Sequence, residues 1–214
     1  ATNGGTVECG QNISDIFDDA VCVNDVAIGG TIVDLNVEVL ISHTYRADLR
    51  ITLEHKDTGT SVMLYNGPNT NPASSDNLGD PATGEMLTFD DCAASALDNF
   101  VDDGASPTGS WRPAGSLSAF NGENKAGEWS LTINDSFGGD SGVLERFSLV
   151  FCDPANGDCD GGVDLLSWGD FQLCFSGDNG FAPEGCVAYD GNGDQDVDLQ
   201  DFAGLVCAGT MNSR

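Results

Sequence analysis

The sequence predicts a mainly β chain that ends in a small, duplicated helical segment. Apolar and polar residues alternate along Val33–Ile41 and again along Leu49–Leu53, and this period of two is typical of strands with one buried face and one solvated face. The 214 residues include 28 glycines and 7 prolines, and such turn-rich composition with short apolar runs favours an all-β fold. Two similar acidic segments begin at Asn156 and Asp190, which indicates an internal duplication.

The net charge excludes several classes of partner. There are 35 acidic and 7 basic side chains, so the formal charge is -28 at pH 7. Nucleic acids and anionic membranes are bound through basic patches, and an acidic field of this size repels both while attracting cations. No run of about 18 apolar residues is present either, so we expect neither nucleic-acid binding nor insertion into a membrane.

The cysteines indicate an oxidising compartment. Eight are present without a C-x-x-C pair, which argues against a zinc ribbon or a thioredoxin-like site and favours disulfides in a secreted or cell-surface protein. Cys9 and Cys22 are close enough in sequence for a local bridge. This pairing and all others stay open, including those of the C-terminal cysteines, whose bridges would tie the two repeats together: Cys159, Cys174, Cys186 and Cys207. Because the chain starts at Ala1, we expect a processed or truncated product.

Each predicted strand follows from the same alternation. The strands at Val33–Ile41 and Leu49–Leu53 are separated by a break at Ser42–Ala47, and two strands joined in this way can seed a sheet. Ser61–Tyr65 predicts a further short strand. Asn66–Pro81 is dense in Asn, Pro, Ser and Gly and predicts a long surface loop.

The later strands carry complete apolar faces. The residues concerned are Leu87 and Phe89; Trp129, Leu131 and Ile133; and Phe147, Leu149 and Phe151. Because side chains alternate across a strand, each set lies on one face, and we expect the sets that begin at Trp129 and at Phe147 in the core. The opening segment up to Gly30 is polar and glycine-rich, so we expect it to have little core of its own.

Several motifs in the first two thirds of the chain resemble a known family. They are ISHTYRADLRITL at 41–53, TGTSVML at 58–64, P-x-x-x-L-x-x-F-x-G from Pro113, GEWSLTIND from Gly127 and G-D-x-G-x-L from Gly139. In this order they resemble the P domain of proprotein convertases. The resemblance covers roughly Val7–Cys152, and it implies a β-jelly roll over residues 1–152 that is non-catalytic and accompanies subtilisin-like proteases.

The second acidic repeat, DGNGDQDVDLQD from Asp190 to Asp201, has the spacing of an EF-hand calcium loop. Side-chain oxygens fall at loop positions one, three, five, nine and twelve, and position seven offers its backbone carbonyl. These residues are Asp190, Asn192, Asp194, Asp198, Asp201 and, through its carbonyl, Asp196. Ca²⁺ takes six to eight oxygen ligands, and only a cation offsets the repulsion of carboxylates that converge in this way. Val197 at position eight is expected to anchor the loop.

The first repeat is a weaker copy of the same loop. Its predicted ligands are Asn156, Asp158, Asp160, Asp164 and the carbonyl of Gly162. Ser167 stands at position twelve, where it cannot supply two oxygens, so we expect weaker binding. The second loop also departs from the EF-hand rule, because Gln195 replaces the usual Gly at position six and Asp201 replaces the usual Glu at position twelve.

Asp at position twelve, a single helix after each loop and the duplication resemble type I dockerin repeats. The resemblance implies a dockerin-like module over residues 153–214 that docks, in the presence of calcium, to a cohesin-like or other cell-surface receptor. Positions ten and eleven, which are often Ser and Thr in dockerins, are here Leu165 and Leu166, then Leu199 and Gln200. This departure disfavours a standard cohesin, and the module could instead pack on the P domain.

The sequence offers little for catalysis. His43 and His55 are its two histidines. Ser42 precedes His43 in a strand, so the two side chains point to opposite faces, and there is no G-x-S-x-G elbow. We expect His43 to have a structural hydrogen-bonding role and His55 to lie on the surface at a strand end. Acid pairs such as Asp90–Asp91 and Asp102–Asp103 are expected to be solvated.

A further calcium ion on the jelly roll is an alternative use for acids that are predicted near strand ends. They are Asp48, Asp90, Asp91, Asp135 and Asp140. An equally good interpretation of these acids is that they are scattered over the surface and bind no ion.

The sequence therefore predicts a β-jelly-roll sandwich with a small α-helical, EF-hand-like module at its C-terminus. The first hypothesis is a non-catalytic, monomeric accessory module of a secreted protein, associated with a subtilisin-like serine protease and carrying a calcium-dependent docking tail. The second is a carbohydrate-binding jelly roll on a dockerin-bearing, polysaccharide-degrading protein, for which an exposed Trp111 would serve as the platform. A hydrolase with an unrecognised acidic site ranks last.

Overall fold

The computed structural model describes residues 3–14, 19–67, 77–97, 100, 105–151, 172, 174–176 and 195–197. The chain divides into two compact units. One is Thr2–Phe151, and the other comprises Cys152–Arg214 together with Ala1.

The described residues of the first unit form nine strands in two sheets. The strands are β1 Asn3–Ile13, β2 Ala20–Val26, β3 Leu35–His43, β4 Leu49–His55, β5 Thr60–Asn66, β6 Leu87–Phe89, β7 Gly109–Trp111, β8 Gly127–Asp135 and β9 Gly142–Phe151. One sheet has the order β1-β9-β3-β6-β7 and the other β2-β8-β4-β5. All neighbours are antiparallel except β6 and β7, which are parallel. The predicted mainly β structure is thereby confirmed.

The strands β3 and β4 do not pair with each other, so the expectation that they seed one sheet is wrong. β3 lies in the five-stranded sheet and β4 in the four-stranded sheet. The break between them contains a short 3-10 helix, Arg46–Asp48, whose three residues are all buried. This buried corner carries the chain from one sheet to the other, which is how a sandwich brings consecutive strands onto opposite layers.

The core lies between the two sheets, and its centre is Trp129. Side chains of β3 and β9 on one sheet meet those of β4 and β8 on the other. The ring of Trp129 packs edge-on against Phe151 of the opposite sheet, with a centroid distance of 5.8 Å, and against Phe120 at 5.0 Å. Its Nε1–H donates to the carbonyl of Lys125 at 3.0 Å, so the indole is buried without an unsatisfied donor. The two apolar faces predicted to lie in the core, on β8 and β9, are both buried, and so are Leu87 and Phe89 of β6.

The opening segment forms two full strands that the sequence did not predict. β1 pairs with β9, and β2 pairs with β8. β2 was missed because Val21 and Val23 point outwards and are exposed, while three of its four inward positions hold the small or polar residues Ala20, Cys22 and Asn24. The sequence left the disulfide pairings open, and the structure contains the bridge between Cys9 and Cys22, which joins β1 of one sheet to β2 of the other.

The second unit is described at only a few positions. Gln172 and Cys174 are helical, Cys174 is disulfide-bonded, and Val197 is fully buried. The predicted loops and helices otherwise lie outside the described residues. Across the part of the chain that is described, no helix is long and apolar enough to cross a membrane.

Removal of the Cys9–Cys22 bridge should destabilise the first unit. The bridge closes a segment with a sequence separation of 13 residues, and the lost restraint on the unfolded chain predicts that Cys9→Ala/Cys22→Ala lowers the free energy of unfolding by about 2–4 kcal/mol. Urea denaturation measures this change. Val21→Ala, on the exposed face of the same strand, is the matched control and should change the free energy by less than about 0.5 kcal/mol. Equal stability of the double variant and the wild type would contradict the prediction.

Candidate functional site

A buried polar cluster lies at one end of the sandwich. His43 ends β3 and Asp135 ends β8, and the imidazole Nε2 is 3.5 Å from the carboxylate Oδ2 with both side chains fully buried. The other ring nitrogen, Nδ1, accepts the backbone N–H of Tyr45 at 3.1 Å. Because Nδ1 accepts, the proton of a neutral ring is on Nε2 and faces Asp135. His43 therefore has the structural role that was predicted.

Two further acids belong to this cluster. Asp48 is buried at the end of the 3-10 corner. Burial raises the pKa of Asp48, and the charges of Asp135 and Asp140 raise it further, whereas His43 acts in the opposite direction. Asp140 accepts the hydroxyl of Thr44 at 2.9 Å. Asp48, Asp135 and Asp140 are thus near one another, but among the described residues no group of three or more His, Cys, Asp or Glu is placed to hold a metal ion.

Asp90 and Asp91 do not belong to this cluster, and Asp91 has a different structural role. Asp91 accepts the backbone N–H groups of Leu117 and Ser118 at 3.0 and 2.9 Å, so its carboxylate caps the 3-10 helix Leu117–Phe120. Burial raises the pKa of Asp34, and the charges of Asp90 and Asp91 add to that increase, while a backbone hydrogen bond lowers it. The five acids proposed for a calcium ion on the jelly roll therefore do not converge on one point.

A shallow depression of about 450 Å³ opens beside His43. Its lining residues are Ser42, His43, Thr44, Asn77, Ser141 and Gly142. Asn77 is held in place because its side-chain oxygen accepts the backbone N–H of His43 at 3.0 Å. Since both ring nitrogens of His43 face protein groups, no base in this depression is oriented towards the hydroxyl of Ser42. The arrangement lacks the geometry of a nucleophile activated by a base.

A second polar cluster surrounds His55, and it corrects the prediction of a surface residue. His55 is fully buried and stacks on Trp129 with a centroid distance of 4.2 Å and an interplanar angle of 5°. Its Nδ1 is 3.0 Å from Oε2 of Glu123. The same carboxylate accepts hydroxyl hydrogens from Thr58, at 2.9 Å, and from Thr60. No local pattern around Glu123 marks it for this role, because its partners are 63 to 68 residues away in sequence.

Glu123 is held in its ionised form. Burial raises the pKa of this carboxyl, but the hydrogen bonds from Thr60, His55 and Thr58, together with the charge of His55, outweigh that effect and hold the pKa below its ordinary value of 4.5. The carboxylate therefore ties the β4–β5 turn to the segment that leads into β8, beneath the central Trp129.

Trp111, the proposed platform for a sugar, is only partly exposed. Its Nε1–H donates to the carbonyl of Thr108 at 2.8 Å, and the ring packs edge-on against Phe100 with a centroid distance of 5.4 Å. The guanidinium of Arg46 lies 4.5 Å from the centre of the Phe100 ring. The indole is thus occupied by internal contacts, which disfavours a glycan platform at this position.

Of the predicted calcium ligands, only Asp196 lies within the described residues, and it is buried. The remaining ligands of both loops lie outside them. The residue before Asp196 has an uncommon backbone, because Gln195 has a φ of 78°. The residue after it, Val197, is hydrogen-bonded to Ser176.

A family model described as the proprotein convertase P-domain matches residues 32–151, which is more than half of the chain. The chain belongs to the proprotein convertase P-domain family. No curated protein matches the sequence significantly.

Two solved structures resemble the chain. They are the serine protease of Aeromonas sobria in complex with a chaperone and the same protease crystallised by itself, with TM-scores of 0.42 and 0.41. Each is 18% identical to this chain and covers 68% of it, whereas the chain spans 25% of the length of each protease chain.

The P-domain match includes β3 to β9 and therefore both polar clusters. The strands β1 and β2 precede it, so the disulfide-linked pair adds one strand to each sheet of the P domain outside the matched residues.

The Glu123 cluster predicts a specific pH dependence of stability. Because the pKa of Glu123 is lower in the folded state, its contribution is complete above about pH 5 and is lost as the pH falls through the folded pKa. Glu123→Gln should lower the free energy of unfolding at pH 7 by about 1 kcal/mol. The difference in the free energy of unfolding between Glu123→Gln and the wild type should shrink as the pH falls below 4.5, the ordinary pKa of this carboxyl.

Denaturant titrations between pH 7 and pH 3 measure this dependence. Glu54→Gln is the matched control, because Glu54 is solvent-accessible and pairs with Lys56 on the surface, where ion pairs contribute little. A constant difference between Glu123→Gln and the wild type at every pH would contradict the prediction.

Proposed function

We propose that the chain is a non-catalytic accessory module of a secreted, subtilisin-like serine protease. The module stabilises the protease domain or helps that domain to contact its substrate. The observation that carries this proposal is the P-domain match over β3 to β9. P domains accompany the catalytic domains of proprotein convertases and supply no catalytic residue. The disulfide between Cys9 and Cys22 supports secretion, because such bonds persist in oxidising compartments.

The surroundings of the two histidines support the absence of catalysis. His43 is engaged by Tyr45 and Asp135, and His55 by Glu123 and Trp129. Both rings are buried, so neither is accessible to a substrate as a general base. Their positions suit a rigid scaffold that presents a constant surface to a neighbouring domain.

We further propose that residues 153–214 form a calcium-dependent, dockerin-like docking tail. The spacing of oxygen ligands in the second repeat supports it. Gln195 supports it as well, since loop position six is where an EF-hand uses Gly for a sharp turn, and the φ of 78° supplies such a turn without Gly. Val197 at position eight is fully buried, as an anchor of the loop would be.

The accessory role can be tested with a protease domain. We expect the chain, coexpressed in the same cells with the subtilisin-like catalytic domain of its source organism, to raise the yield of active, secreted protease several-fold. Trp129→Ala is the control, because it removes the centre of the core and should abolish the effect.

The chain alone should release no peptide from casein above the buffer blank. Peptidase activity of the purified chain that disappears in a single, correctly folded point variant would contradict the accessory role. Binding on a glycan array that is lost in Trp111→Ala would instead favour the carbohydrate-binding alternative.

The docking tail can be tested by calcium calorimetry on the full chain after EDTA treatment. We expect two sites of unequal affinity, with the tighter one lost in Asp190→Ala and in Asp194→Ala. Asp25→Ala, an exposed acid on β2, is the control and should leave both sites unchanged. An absence of binding at millimolar calcium would mean that the acidic loops are solvated turns.

A further inference from the structure

Ser176 makes three hydrogen bonds to a single residue of the second repeat, of which the longest, from its hydroxyl to the carbonyl of Val197, is 3.5 Å. Its backbone N–H donates to the carbonyl of Val197 at 2.9 Å. Its hydroxyl oxygen Oγ accepts the backbone N–H of Val197 at 2.8 Å. Both are of ordinary hydrogen-bond length. Ser176 lies outside the predicted loop Asp190–Asp201, so one side chain and one peptide group of another segment hold the residue at loop position eight.

The bond to the N–H of Val197 has a consequence for the residue before it. That N–H belongs to the same peptide group as the carbonyl of Asp196, which is the predicted calcium ligand at position seven. A trans peptide group is planar, and its C=O and N–H point in opposite directions. Anchoring the N–H to Ser176 therefore directs the carbonyl of Asp196 away from Ser176.

The turn before this peptide group needs such support. Gln195 has a φ of 78°, a left-handed conformation that is unfavourable for a residue with a side chain. Conformations of this kind persist where the surrounding structure over-determines them. The hydrogen bonds of Ser176 fix the chain two residues after Gln195, and the burial of Val197 fixes it as well.

The segment that carries Ser176 is itself held firmly. Cys174, two residues earlier, is buried and disulfide-bonded. The N–H of Phe175 donates to the carbonyl of Gln172 at 3.4 Å, while its side chain is exposed. The disulfide of Cys174 therefore restrains the backbone two residues before Ser176.

We propose that Ser176 is a positioning residue for the second calcium loop. Its hydrogen bonds hold the peptide group between Asp196 and Val197 so that the Asp196 carbonyl serves as a ligand for Ca²⁺. This inference rests on the proposed calcium binding of the tail. It assigns a role to a residue outside the loop, and it applies to the second repeat alone.

The test is calcium calorimetry on the full chain with the variant pair Ser176→Thr and Ser176→Val. Thr keeps the hydroxyl acceptor, whereas Val has a similar size and shape without it. We expect the tighter site to retain its affinity within about threefold in Ser176→Thr and to weaken by about tenfold in Ser176→Val, the difference that one hydrogen bond makes. Phe175→Ala, at an adjacent exposed position, should change nothing.

Thermal melts separate positioning from general stability. In EDTA, Ser176→Val can melt somewhat lower than the wild type because it loses a hydrogen bond, so the measured quantity is the calcium-induced rise of the melting temperature, which should be smaller in Ser176→Val than in Ser176→Thr. Equal affinities of the Thr and Val variants, in a chain whose wild type binds calcium at two sites, would overturn this inference and leave the calcium proposal intact. A wild type without calcium binding would overturn both.

Discussion

The packing of Trp129 between the two sheets is the interaction on which the rest of the first unit depends. Its ring belongs to the four-stranded sheet, contacts Phe151 of the five-stranded sheet and stacks on His55. An indole is the largest apolar surface that a side chain can bury, and its loss from a core leaves a cavity that the surroundings cannot fill. Because β8 and β9 are each paired on both sides, this contact connects an interior strand of one sheet to an interior strand of the other.

Buried polar groups then set the geometry around that contact. His55 and Glu123 fix the β4–β5 turn beneath the indole, and His43 and Asp135 fix the end where the chain changes sheets. A buried charge is tolerated only when hydrogen bonds satisfy it, and the carboxylate of Glu123 receives its hydrogen bonds from residues of distant segments. The two histidines of the chain are thereby used in the scaffold, which agrees with an accessory rather than a catalytic role for a P domain.

The acidic residues of the P domain and those of the second repeat need different explanations. In the described part of the P domain, Asp91 caps a 3-10 helix and Glu123 accepts three hydrogen bonds, so these carboxylates are already satisfied by protein donors. In the second repeat, the sequence places alternate acids within twelve residues, Asp190–Asp201, and Gln195 among them has the φ of a sharp turn. Carboxylates at that spacing repel one another until a cation joins them, which is why the proposed calcium chemistry belongs to the tail.

The sequence by itself determined the strands with a complete period-two pattern and the motifs that mark a P domain, since both are encoded by neighbours in the chain. Only the tertiary structure decided that β3 and β4 lie in different sheets, that the glycine-rich opening pairs as β1 and β2, and that His55 is buried against Trp129. Those outcomes depend on contacts between residues far apart in sequence, such as His55 and Glu123, and no local pattern carries information about which distant group will satisfy a buried one.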